Sequence, residues 1–204
     1  LQENLNIRKI GICMHIDTTI LKACASDDRR AQKQLYEYCF KAFMPLCLRY
    51  HTNEEDARAS LNIAFLKIVN AISTINCEEV NFNAWAKRIM TNTLIDEYRK
   101  TKNHLSHFQG KETERELDFL AESTRNNAEN DFGYAAIMKL LTEIPSVSAK
   151  VFNLYVIDGY NHKEIAEMME MSEGTSKWHL STARKLLREK LEKMNSDIPQ
   201  KMVI

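Results

Sequence analysis

The residues best suited to chemistry lie near the C-terminal end. Lys177, Ser181, Arg184 and Arg188 recur at helical spacing, and Thr175, Trp178, His179, Thr182 and Lys185 stand beside them. The chemistry they suit is recognition of DNA. A helix with small and basic side chains on one exposed face fits the major groove. Phosphates draw in Lys and Arg, and Arg or Lys also pairs with guanine edges. Catalysis is not indicated. The chain has no nucleophile–base pair, no metal-ligand cluster and no phosphate-binding glycine loop. No enzyme, metal or cofactor is therefore expected.

Two helices must position this face. Asn161 can cap the first, with Glu164 three residues on to close a capping box. Ile165, Ala166 and Met169 then share one side. Glu170-Met171-Ser172 breaks that pattern, and Ser172 caps a second helix whose first turn holds Glu173. Ser176, Leu180, Ala183, Leu187 and Leu191 form a stripe expected to face the core. Ser176 belongs both to this stripe and, by its place among small residues, to the DNA-facing set. The pattern is a helix-turn-helix with its recognition helix second. An ordinary amphipathic hairpin with a solvated basic face has the same spacing.

The chain of 204 residues is long enough for two small domains. Hydrophobic residues make up 44% and charged residues 27%, which places it among globular proteins. Only five Gly and three Pro interrupt long helical periods, so the fold class is all-α. Net charge is zero but segregated. Basic residues gather at Lys87-Arg88, at Arg99-Lys100-Thr101-Lys102 and along 177–193, and acidic ones between Glu112 and Asp131. Cys13, Cys24, Cys39, Cys47 and Cys77 form no CxxC pair and make a poor disulfide framework. They are expected as reduced thiols. His104 and His107 are the only closely spaced histidines, with no cysteine near to complete a metal site. No apolar run approaches a membrane span and no signal-peptide pattern is present, so a soluble, cytoplasmic protein is expected.

Taken in order, residues 1–16 have no clear period and form an N-terminal extension. A first helical domain spans 17–103. It opens with a short helix over 17–25, with Ile20, Leu21 and Cys24 inward. A longer helix runs from Asp27-Asp28 to about Tyr50, and Pro45 is expected to kink or split it. A third helix with an acidic first turn reaches about Ala71, and Ser73–Asn81 is a polar connection. The fourth helix runs from about Phe82 to Lys102. It buries Trp85, Ile89 and Met90, and it lines up Arg88, Asn92, Asp96 and Arg99 on a polar face. Residues 104–133 lack helical periodicity and make an extended linker. The helix-turn-helix domain takes 134–194, and 195–204 is a tail.

The run Ser172-Glu-Gly-Thr-Ser-Lys-Trp-His-Leu-Ser-Thr-Ala-Arg184 closely resembles the −35-reading helix of bacterial extracytoplasmic-function (ECF, group 4) sigma factors, especially the Bacteroidetes type. The lead-in, Leu141-Thr-Glu-Ile-Pro145 and Gly159-Tyr-Asn-His-Lys-Glu-Ile-Ala166, is similar too. So are Asn53-Glu-Glu-Asp-Ala57, Ala64-Phe-Leu-Lys-Ile68 and Phe82-Asn-Ala-Trp-Ala-Lys-Arg-Ile-Met-Thr-Asn-Thr-Leu-Ile-Asp96, which match the family's promoter-melting domain. The resemblance implies an alternative sigma factor. Such a protein binds core RNA polymerase through the β′ clamp and β flap, reads −35 and −10 elements of promoter DNA and starts melting. It implies −35 contacts from Thr175 to His179, Ser181, Thr182, Arg184, Lys185 and Arg188. Single-strand −10 contacts would come from Asn76, Asn81, Trp85, Lys87, Arg88, Asn92, Asp96 and Arg99. Polymerase contacts would come from Asp56, Arg58, Asn62 and Phe65. The linker would thread toward the polymerase active site, and an anti-sigma factor is a common partner.

The third helix departs from the family pattern. Asp56 and Phe65 remain, but Arg58, Ala59, Asn62 and Ile63 replace the usual acidic or amide residues. Thr182 stands where the family often has Arg. Two alternatives follow. One is a divergent sigma-like protein that needs a recruiting factor to place polymerase. The other is a stand-alone helix-turn-helix regulator.

Overall fold

The computed structural model describes residues 16–108 and 132–196. The N-terminal extension, Cys13, the acidic stretch from Glu112 to Asp131 and the tail beyond residue 196 lie outside the described residues, as do the side chains of His104 and His107. The described residues are helical, with no strand among them. The elements are α1 (Thr18–Ala25), α2 (Arg29–Leu48), α3 (Glu54–Ala71), a 3₁₀ turn (Ile72–Thr74), α4 (Phe82–Phe108), α5 (Phe132–Leu141), α6 (Ser146–Phe152), a π turn (Asn153–Ile157), α7 (His162–Met169) and α8 (Glu173–Ser196). The chain divides into two compact units, Leu1–Leu48 with Glu54–Leu94 and Arg49–Asn53 with Ile95–Ile204.

In the first unit the helix starts are set by aspartates. Asp17 Oδ1 accepts the Thr19 N–H at 2.9 Å, and Asp28 Oδ1 accepts the N–H groups of Arg30 and Ala31 at 2.8 Å each. These are N-caps that satisfy donors no helix can satisfy internally. Leu21 and Cys24 of α1, Leu35, Cys39, Phe43 and Cys47 of α2, Leu61, Ala64 and Ile68 of α3, and Phe82, Ala86 and Met90 of α4 are buried. Contrary to the expected kink or split, α2 is assigned as one helix through Pro45. Pro45 is exposed while Phe43, Met44, Leu46 and Cys47 around it are buried. Packing of its neighbours holds the helix, and water reaches the carbonyl that the missing N–H leaves free. α4 also continues past Lys102 to Phe108, into the stretch expected as linker.

Burial lifts the Cys24 thiol to about 11, with Asp28 and Cys77 adding to the shift, and lifts Cys39 to about 12. A raised thiol value favours the neutral form in the folded state. The stability it contributes is complete below the ordinary value of 9.0 and is lost as pH rises through the folded values. The urea midpoint is therefore expected to fall between pH 9 and about 12, and Cys24 and Cys39 to resist alkylation at neutral pH while half-buried Cys77 is labelled first. Peptide mapping after a timed iodoacetamide pulse checks the order.

In the second unit, Leu140, Leu141 and Ile144 pack with Ala183 and Leu187 of α8, and Ile137, Met138, Ala149, Phe152 and Leu186 close around them. Val151, Leu154, Ile165, Met169 and Leu180 are also buried. Leu191, expected in the same stripe, is 37% exposed, because it lies one turn beyond the last residue of this cluster. The α6 helix ends in the π turn, where the Asp158 N–H donates to the Asn153 carbonyl at 2.9 Å. Gly159 follows at φ 84°, and a Cβ there would meet nothing within 4 Å. The backbone angle, not space, calls for glycine.

The Asp158 carboxylate is fully buried. Arg49 Nη2 lies 2.6 Å from its Oδ1, and the Tyr50 hydroxyl donates to its Oδ2 at 2.7 Å. Asn153 Nδ2 donates to the Arg49 carbonyl at 3.2 Å. Burial, then the Asp158 charge, pushes the Tyr50 phenol well above its usual range. The capping box forms as the sequence predicts: Asn161 Oδ1 accepts the Glu164 N–H at 3.0 Å, and Glu164 Oε2 accepts the Asn161 N–H at 2.8 Å. Glu170 ends α7 in the left-handed region at φ 54°. For a residue with a Cβ this costs about 1 kcal/mol. Ser172 Oγ then accepts the Thr175 N–H at 3.0 Å and starts α8.

Candidate nucleic-acid interface

The buried stripe of α8 fixes which side chains it presents. Ser176, Leu180, Ala183 and Leu187 are buried, whereas Thr175, Lys177, Trp178, Ser181, Arg184, Lys185 and Arg188 are exposed and His179 and Thr182 half-buried. Ser176 thus takes the inward of its two expected places. Its hydroxyl meets His162 Nδ1 at 2.9 Å and ties α8 to the start of α7. The Tyr155 ring stacks on His162 with centroids 4.5 Å apart. The Arg184 guanidinium lies over the Tyr155 ring at 5.8 Å. His179 Nδ1 meets Ser148 Oγ at 3.0 Å, and the Trp178 ring packs edge-on against His179 at 4.8 Å.

Lys177, Ser181, Arg184, Lys185 and Arg188 line an open groove of about 350 Å³ together with His162 and Leu180. Four of these side chains carry fixed positive charge, and the groove runs along the flank of α8 nearest His162. Converging cations at helical spacing bind successive phosphates of a duplex backbone. A groove this open does not enclose a small ligand.

On α4, in the first unit, Arg88 and Asn92 are exposed and Lys87 is half-buried. Trp85 is half-buried and packs on Phe82 with ring centroids 5.8 Å apart; Phe82 in turn meets Tyr38. That matches its reading as a core residue. Asn76 and Asn81 both serve the backbone. Asn76 Oδ1 accepts the Glu78 N–H at 3.1 Å, and Asn81 Oδ1 accepts the Ala84 N–H at 3.1 Å as the cap of α4. Further along α4, in the second unit, Arg99 lies 3.6 Å from Asp96, donates to the Met168 carbonyl at 3.2 Å and lies 3.4 Å from Glu170. The guanidinium is engaged by the end of α7.

The altered residues of α3 are built into one surface. Arg58 pairs with Glu54 at 2.7 Å and lies over the Phe40 ring at 5.7 Å. Tyr36 donates to Asn62 Oδ1 at 2.9 Å and meets Phe65 edge-on at 5.1 Å. Asp56 is exposed one turn ahead, and Ile63 and Leu66 add exposed apolar area. Tyr36 and Phe40, on α2, were missed by reading α3 alone. Their spacing of four residues, on the side of α2 away from Leu35 and Cys39, is the signal that could have found them. Asp158, Arg49 and Tyr50 were missed as well. They are too far apart in sequence for any local pattern to join them.

Comparison with known proteins follows the same division. The description "Sigma-70 region 2" matches residues 35–104, and "Sigma-70, region 4" matches residues 134–187. Among solved structures, the sigma factor RpoE from Bartonella quintana, in complex with the anti-sigma factor NepR, superposes with a TM-score of 0.53 at 16% identity, covering 78% of this chain and 96% of that one. CnrH in complex with the cytosolic domain of CnrY gives a TM-score of 0.46 at 20% identity, covering 87% and 97%. No helix among the described residues is long and apolar enough to cross a membrane. With regions 2 and 4 in family order and together covering more than half of its length, the chain belongs to the sigma-70 family, as an alternative sigma factor that binds core RNA polymerase and promoter DNA for transcription initiation.

Proposed function

We propose that this is a sigma factor of the ECF, group 4, Bacteroidetes-like type, acting in the cytoplasm. Residues 17–103 form its polymerase-binding and promoter-melting domain, and 134–194 its −35-reading domain. The observation that carries the reading is the outward face of α8. Lys177, Arg184, Lys185 and Arg188 share one groove on the second helix of a helix-turn-helix. In this reading α8 enters the major groove at the −35 element. The exposed Arg88 and Asn92 hold phosphates and an unstacked base of the −10 single strand. Asp56, Arg58, Asn62 and Phe65 face the β′ clamp. The chain performs no chemistry of its own; the polymerase does. An anti-sigma partner, as in the Bartonella quintana complex, is part of the proposal.

A second reading, a divergent sigma factor that needs a recruiting factor, is favoured by one feature. Arg58 presents a cation, paired with Glu54 and laid on Phe40, where the family presents an acidic or amide residue. Run-off transcription with purified host core polymerase and genomic fragments tests both. Defined start sites that require this chain, and vanish with Arg88→Ala or Arg184→Ala, are the expected result. Polymerase binding without initiation would establish dependence on a recruiter. No polymerase binding would leave a stand-alone regulator.

A further inference from the structure

Helix geometry separates two faces of α8 that the sequence presents together. At about 100° per residue, the direction opposite the buried Ser176, Leu180, Ala183 and Leu187 belongs to Trp178 and Lys185, with Gly174, Ser181 and Thr182 beside them. Lys177, Arg184 and Arg188 lie to one side, along the groove shared with His162. Arg184 is drawn further to that side by the Tyr155 ring.

In a helix-turn-helix, the N-terminal half of the second helix meets the base edges. Guanine is read there by Arg or Lys, and adenine by Asn or Gln. The outward positions of this half are Gly174, Thr175, Trp178, Ser181 and Thr182. None can make those bidentate pairs. What they offer is an indole that is 61% exposed, flanked by hydroxyls. The indole is braced on one side by His179, which Ser148 holds in turn. Gly174, one turn ahead, leaves the approach to the indole open. A Cβ there would meet only Ser172 Oγ, at 3.6 Å, so packing within the protein does not ask for glycine.

We propose that Trp178 reads the 5-methyl group of thymine in the major groove. Apolar contact with that methyl is the one base-edge interaction an indole face supplies well. α8 then selects a thymine-bearing −35 element by shape and apolar contact. Its Lys and Arg residues hold the flanking phosphates without reading guanine. This inference rests on the sigma-factor reading and deepens it.

The test uses the chain with core polymerase on a promoter fragment taken from the run-off experiment. Each thymine of the −35 element is replaced singly by deoxyuridine, which removes only the methyl. Complex formation is followed by competition against the unmodified fragment. At one or two positions the methyl is worth about fourfold in affinity, by the usual value of one buried carbon. That penalty is expected to disappear in Trp178→Ser and to persist in Trp178→Phe. Equal binding of every deoxyuridine fragment would overturn the thymine assignment while leaving the promoter complex standing. So would a penalty that survives Trp178→Ser. Failure to form any polymerase-dependent complex would instead overturn the sigma-factor reading.

Discussion

Asp158→Ala is expected to cost the second unit about 3–5 kcal/mol. The carboxylate is fully buried, and Arg49 and Tyr50 both bond to it at 2.7 Å or less. Removing one member strands the other charge away from water, which costs far more than an exposed pair is worth. Urea unfolding followed by helicity measures the loss. The control is the double variant Arg49→Met with Asp158→Leu, which removes both charges together. It should recover most of the stability, because a buried pair and an apolar pair of similar volume are nearly equal in energy. A single variant within 1 kcal/mol of the parent, on the order of a surface pair, would show that the site is hydrated.

Simultaneous replacement of Lys177, Arg184 and Arg188 by alanine should weaken the promoter complex on the order of 10²-fold at physiological salt. All three line one groove, are exposed and stand at helical spacing. If each neutralises one phosphate, the log–log salt dependence of the complex should fall in slope by about 3. The slope separates this from unfolding, because a misfolded helix loses affinity at every salt concentration alike. Sequence preference among promoters should survive, since phosphate contacts position the protein and do not read bases. A variant that loses preference but keeps its slope would move these cations to the base edges.

Much of this was legible in the chain. The capping box at Asn161 and Glu164 and the cap at Ser172 needed only residue types at fixed offsets, and both formed as expected. The inward stripe of α8 followed from its period as far as Leu187 and failed at Leu191. A period says which way a residue points, not whether another helix reaches that far. Pro45 was misread for a related reason, since local propensity cannot weigh the buried residues that hold α2 together around it. For the DNA face, the residue types were visible but their division was not. Arg184 and Trp178 read as neighbours in sequence. The stack on Tyr155 and the brace on His179 send them to different jobs. Arg99 was placed with the single-strand set from spacing alone, and no spacing could show that the Met168 carbonyl and Glu170 already hold it.

The π turn at Asn153–Ile157 has a bearing on how this chain tolerates insertions and deletions. A π turn carries one residue more than an α-helix would use to cover the same rise. Deleting any one of its five residues would therefore restore regular α geometry, which by itself favours the helix. It would also rotate everything downstream by about 100°. Asp158 would swing off Arg49, and Asn161 would no longer start α7 in its present register. A loss of one residue here acts as a change of phase, and a compensating insertion works only if it falls before Asp158.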